Sequence, residues 1–162
     1  MADGVRDELV RAIGENTQRI GLASERIGSL FASSQNLHAT DFRALTAIYR
    51  AEREGHPLTG TALADHLQRS PAAITYVVDR LVESGHVRRE RDPADRRRIV
   101  LRYSAPGLAV AGAFFGPLGM AHGEALAHFD EDELRVAGLV LDAIVGTLER
   151  YGEAIATAGD QE

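Results

Sequence analysis

Between Arg6 and Phe31, apolar side chains recur at Leu9, Ile13, Ile20, Ile27 and Leu30/Phe31 with polar residues between them. This near-heptad stripe predicts one long amphipathic helix. Ser33-Ser34-Gln35-Asn36 ends it, and Thr40 reads as the N-cap of a second helix that turns Leu45, Ile48 and Tyr49 inward before Glu54-Gly55-His56-Pro57 stops it. Thr59 or Gly60 opens a short helix with Leu63 and Leu67 on one face, and Gln68-Arg69 forms the turn that follows. At Ser70-Pro71 the chain restarts with a favoured N-cap and a favoured first helical residue. Ile74, Val77, Val78 and Leu81 then fall at i, i+3, i+4 and i+7, with Gly85 as a C-cap candidate. Two short helices joined by a tight turn make a helix-turn-helix.

From Val87 to Tyr103 the period changes. Val87, Ile99, Leu101 and Tyr103 alternate with arginines on either side of Asp92-Pro93-Ala94-Asp95, which predicts a β-hairpin with a polar tip. Ser104-Ala105-Pro106-Gly107 starts a glycine-rich helix expected to break or bend at Gly116-Pro117. Asp130-Glu131-Asp132-Glu133 reads as a capping box for a last helix striped by Leu134, Leu141, Ile144/Val145 and Leu148. The fold class is therefore mainly α with a small β-hairpin wing. Residues 38–104 are the expected winged helix-turn-helix lobe. The N-terminal helix within 1–37 and the helices of 105–162 are the expected dimerisation region, because their stripes exceed what one lobe can bury.

Charge changes the picture more than composition does. With 162 residues, 44% of them hydrophobic and 26% charged, the chain is an ordinary globular sequence. Its net charge of −6 argues at first against a polyanionic partner. Residues 86–102, however, hold seven arginines against three acids, a net of +4, so the rest of the chain carries −10. A basic island on an acidic body suits a DNA reader with a separate scaffold. All 18 basic residues are Arg, which base composition of the genome explains better than a recognition role does. There is no cysteine, which excludes disulfides, thiolate metal sites and thiol redox sensing and fits a reducing compartment. An acidic start and the lack of a long apolar run predict a cytoplasmic protein that is neither exported nor membrane-spanning.

Several short segments, in this order and spacing, resemble the MarR family of winged-helix regulators from about Thr40 to Tyr151. They are Leu58-Thr59-Gly60-x-x-Leu63-Ala64, Ile74-Thr75-x-Val77-Val78-Asp79-x-Leu81, Gly85-His86-Val87-x-Arg89, Asp92-Pro93-x-Asp95-Arg96-Arg97 and Ser104-x-x-Gly107. The resemblance implies a homodimer interlocked through terminal helices, with each lobe reaching duplex DNA. It also implies a pairing of Asp95 with Arg97 that stiffens the wing. Tyr103-Ser104 stands where the family usually has Leu-Thr, and Tyr76 where a basic or polar residue is common.

The core stripe of the fourth helix leaves Ser70, Ala72, Ala73, Thr75, Tyr76 and Arg80 for the major groove. There Ala73 and Thr75 offer methyl contacts and a hydroxyl, Tyr76 a phenol, and Arg80 a guanidinium for backbone or guanine. An ordinary solvated face is the competing reading, but such a face more often carries Glu or Lys than a small Ala72-Ala73 pair. Asp95, Arg96, Arg97 and Arg98 form the wing site, whose guanidinium groups can enter a narrow minor groove. Arg89 is expected to be partly structural. An effector pocket, for a small aromatic or amphipathic acid, is drawn at Phe31, Asn36, His38, Arg43, Phe114 and Phe115, where aromatics meet a few polar groups. The competing reading is plain core with a structural His38.

His122 and His128, six apart, cannot chelate from one helix face, and Glu124 with His128 is expected to be an ion pair rather than a metal site. No metal, no cofactor and no catalytic constellation is expected. The expected function is a DNA-binding regulator, most often a repressor in this family, on a palindromic operator. A metal sensor and a winged-helix module for protein contacts are the alternatives.

Overall fold

The computed structural model describes residues 2–159. They form α1 (Ala2–Ser34), α2 (Ala39–Arg53), α3 (Gly60–Leu67), α4 (Pro71–Glu83), β1 (Val87–Arg91), β2 (Ile99–Tyr103), α5 (Ala105–Leu126) and α6 (Glu131–Gly159). The chain divides into two compact units, Met1–Phe114 and Phe115–Glu162.

The first unit holds the core. Phe31 from α1, Ala44, Leu45 and Ile48 from α2, Leu63 from α3, and Ile74, Val78 and Leu81 from α4 are all at most 3% exposed. Each helix start has a chemical cause. Thr59 Oγ1 accepts from the Ala62 N–H at 3.2 Å and Ser70 Oγ from the Ala73 N–H at 3.2 Å, so both short helices begin where side-chain oxygens meet orphan donors. Gly85, at φ +74°, ends α4, with the His86 N–H donating to Leu81 O and the Gly85 N–H to Val82 O.

α2 starts earlier than its sequence suggests. Its N-cap is His38, not Thr40, because the Asp41 carboxylate reaches back to accept the His38 N–H at 2.9 Å. The hairpin is antiparallel, with Val87 opposite Tyr103 and Arg91 opposite Ile99. Its inward set differs by one position from simple alternation. Val100 is fully buried and Ile99 is 44% exposed, because Thr59 bridges to Val100 and the Leu101 N–H donates to Leu58 O at 2.8 Å. The Leu58-Thr59 segment thus pairs with the edge of β2 opposite β1.

α5 is continuous through Pro117 rather than broken there. Proline removes one ladder donor, but the residue before it is Gly116, which has no Cβ to clash with the proline ring. In the second unit the Asp130 N–H donates to Glu133 Oε2 at 2.9 Å and the Glu133 N–H to Asp130 Oδ1 at 2.8 Å, the reciprocal box expected from the sequence. Glu124 and His128 form no ion pair; His128 instead stacks near Phe129. α6 leaves Val136, Leu139, Leu141, Leu148, Tyr151 and Ile155 exposed, and α1 does the same with Val5, Leu9, Val10 and Ile20. Among the described residues, no helix is long and apolar enough to cross a membrane and no group of His, Asp and Glu could hold a metal ion.

Candidate nucleic-acid interface

α4 buries Ile74, Val77, Val78 and Leu81 and presents its opposite face. Ser70, Ala72, Ala73, Thr75 and Tyr76 are exposed, Tyr76 to 70%. The Thr75 hydroxyl donates to Pro71 O at 2.9 Å, which leaves its methyl and its oxygen lone pairs for a partner. Together with the mouth of α3 and the wing, this helix borders a cleft of about 540 Å³ lined by Thr59, Gly60, Thr61, Pro71, Thr75 and Arg89 among others.

Arg80 does not stand free on that face, although its side chain stays partly exposed. Its Nε donates to Asp41 Oδ2 at 3.2 Å and its Nη2 to Asp41 Oδ1 at 2.5 Å. Hydrogen bonding to the carboxylate raises the guanidinium pKa above its ordinary value, with burial working in the opposite direction and the carboxylate's charge adding to the rise. Asp41 is fully buried, and an unpaired carboxylate there would be expensive, so the arginine is drawn inward.

The hairpin tip is a pair of side-chain turns. Asp92 Oδ1 accepts the Ala94 N–H at 2.9 Å and Asp95 Oδ1 accepts the Arg97 N–H at 3.0 Å. Asp95 therefore holds the main chain of Arg97, not its guanidinium, so the expected side-chain pair is replaced by a backbone contact. The side chains of Arg96 and Arg97 have no ion-pair partner among the described residues. Arg98 lies 3.7 Å from Asp92, and Arg89 pairs with Asp79 at 2.5 Å, tying β1 to α4. At the base of the wing, Glu52 accepts the Tyr103 N–H at 2.9 Å and Arg102 Nη1 at 3.1 Å.

Behind the wing, Phe31 packs against Phe42 and Phe114 with ring centroids 5.7 and 5.2 Å apart, and against the edge of His86 at 6.4 Å. Of the residues drawn as an effector pocket, Phe31 is core, Phe114 packs on it, and Asn36, His38 and Arg43 are exposed. Phe115 belongs to the second unit. His86 is 5% exposed, its Nδ1 lies 2.9 Å from Ser84 Oγ, and its buried Nε2 has no hydrogen-bond partner among the described residues. Burial lowers its pKa below the ordinary 6.5.

Sequence reasoning missed Asp41, Glu52 and His86. The first had a signal, an acid three residues into a helix start whose neighbours are apolar. Glu52 had a weaker one, lying four residues past Ile48 on the buried face of α2.

A helix-turn-helix with an ordered wing and an arginine-bearing tip defines a winged-helix domain. The MarR family model matches residues 35–98, which span α2, the helix-turn-helix and the wing tip. An HTH-type transcriptional regulator of Bacillus subtilis, YcgE, is 27% identical over 149 residues, covering 90% of this chain and 94% of its own. A MepR mutant from a multidrug-resistant S. aureus clinical isolate shares the fold with a TM-score of 0.66 at 16% identity, over 84% of this chain and 96% of that one. The S. aureus MepR–DNA complex matches with a TM-score of 0.52 at 17% identity, over 81% and 96%. Residues 35–98 thus resemble the MarR family, and the chain as a whole is similar to an HTH-type transcriptional regulator.

Proposed function

We propose that the protein is a homodimeric repressor that binds a palindromic operator. Its reading face is Ser70, Ala72, Ala73, Thr75 and Tyr76 of α4, and Arg96 and Arg97 of each wing anchor it in the flanking minor groove, with Arg98 beside them. The observation that carries the reading is the pairing of a small-residue helix face with two wing guanidiniums that have no acidic partner among the described residues. Proteins that bind DNA need such free positive charge, here gathered at the wing of an otherwise acidic chain. The MepR–DNA complex, a protein of the same fold, supports the choice of partner.

Dimerisation through segments 1–37 and 105–162 accounts for the apolar side chains that α1 and α6 leave exposed, since a monomer rarely shows contiguous apolar surface on that scale. The DNA-binding lobe is then 38–104, and the reducing cytoplasm its compartment. Release by a small aromatic or amphipathic acid near Asn36, His38 and Arg43 completes the proposal. Such a ligand releases DNA only as far as it prefers the DNA-incompetent state, and operator DNA must weaken its binding by the same factor.

The test is binding to random duplex DNA across a salt series. Each phosphate neutralised contributes about −0.9 to the slope of log affinity against log salt. A steep negative slope is expected; weak, salt-independent binding contradicts it and favours a winged-helix module for protein contacts.

A further inference from the structure

Three donors converge on one buried carboxylate. Asp41 Oδ2 accepts the His38 main-chain N–H at 2.9 Å and Arg80 Nε at 3.2 Å, while its Oδ1 accepts Arg80 Nη2 at 2.5 Å. His38 is the N-cap of α2, directly after the α1–α2 turn where Asn36 is held at φ +53°, and Arg80 lies in the last turn of α4. One side chain therefore fixes both the start of α2 and the orientation of the helix proposed to read bases. Ala44, Leu45 and Leu81, at most 1% exposed, are part of the same core, so there is little room for the fork to reform at another angle.

Stability alone does not account for this arrangement. Replacing a buried ion pair by apolar side chains of similar size is often neutral or stabilising. A bidentate guanidinium–carboxylate fork adds direction as well as energy, because its two bonds hold only at one relative orientation of the planes.

We propose that Asp41 is a positioning residue for DNA recognition, acting through Arg80 to set the angle at which α4 presents Thr75 and Tyr76, and linking that angle to the α1–α2 turn. The proposal rests on the DNA reading above. Arg80 in this role touches no nucleotide, and the joint loses specificity when either partner changes, while the wing arginines keep their grip on phosphate.

The experiment uses the full-length dimer and compares wild type with Asp41→Asn, Arg80→Lys and the apolar pair Asp41→Leu/Arg80→Met. Three quantities are measured: urea stability, the ratio of affinities for the selected operator and random duplex, and the salt slope on random duplex. The ratio is expected to fall at least about tenfold in every variant, the apolar pair included, even where that pair is as stable as wild type. The random-duplex affinity and slope should stay unchanged. Ratios within about twofold of wild type in the folded variants overturn the proposal. So does a slope in the apolar pair that is shallower by about 0.9, which would place Arg80 on a phosphate. If wild type itself shows no salt-dependent duplex binding, the DNA reading fails and takes this proposal with it; a discriminating wild type beside unaffected variants sinks the proposal alone.

Discussion

Gly107 at the start of α5 lies against the main chain of His86, so closely that a Cβ on Gly107 would overlap the His86 carbonyl oxygen, Cα and carbonyl carbon. The Ser104 N–H donates to the same carbonyl at 3.0 Å, and the Ser104 hydroxyl donates to Gly85 O. The end of α4, the start of β1 and the start of α5 thus meet at one glycine. Gly107→Ala is expected to destabilise the protein by about 1–3 kcal/mol through overpacking against backbone that cannot move aside. Gly60→Ala, at a position with open space around it, is the control and should change stability by less than about 1 kcal/mol. Urea denaturation at fixed protein concentration separates the two; equal midpoints would show that the joint is loose.

His86 makes stability depend on pH. Its folded pKa lies below 6.5, so between the two values the unfolded chain binds more protons than the folded one, and stability rises with pH there. The contribution of the neutral imidazole is therefore present above about pH 6.5 and is lost as the pH falls below it. His86→Leu removes the group that must charge. Relative to wild type, the variant should gain stability as the pH is lowered from 8 to 5. Parallel stability curves for the two proteins across that range would contradict the assignment.

Arg97→Ala is expected to weaken binding to all duplexes alike and to make the salt slope shallower by about 0.9, with the fold unchanged. Tyr76→Phe and Thr75→Ala are expected to act differently, altering which sequence is preferred, since a good base contact is worth about 1–3 kcal/mol. Competition binding with operator and scrambled duplexes distinguishes the two behaviours. If both α4 variants kept wild-type preference and affinity, that helix face would not be the reader.

The helices and the hairpin were legible because they rest on local rules. A 3–4 apolar spacing, serine before proline, and a glycine after the last apolar residue require no knowledge of what packs where, and α4 illustrates all three. The errors have a common cause in partners distant along the chain. The helical position of Arg80 faces it outward, but its pairing with Asp41, 39 residues away, has no signal in the sequence. Val100 is buried and its strand pairs at its outer edge with Leu58-Thr59, a contact that alternation along β2 cannot reveal. Thr40 has good capping chemistry, yet the box closed by Asp41 puts the helix start at His38. At the wing tip, a two-residue separation lets Asp95 reach the Arg97 N–H more readily than its guanidinium.

Sequencing the fragments that the purified protein selects from its own genomic DNA, then footprinting the best of them, tests the central claim most directly. Two copies of α4 in a symmetric dimer should protect inverted half-sites centred about 10 bp apart, one helical turn, with the flanking minor grooves covered by the wings. Enriched fragments that share such an inverted repeat are the predicted result. Protection of a single unsymmetrical site, or no enrichment over bulk DNA at moderate salt, would contradict a palindrome-reading homodimer.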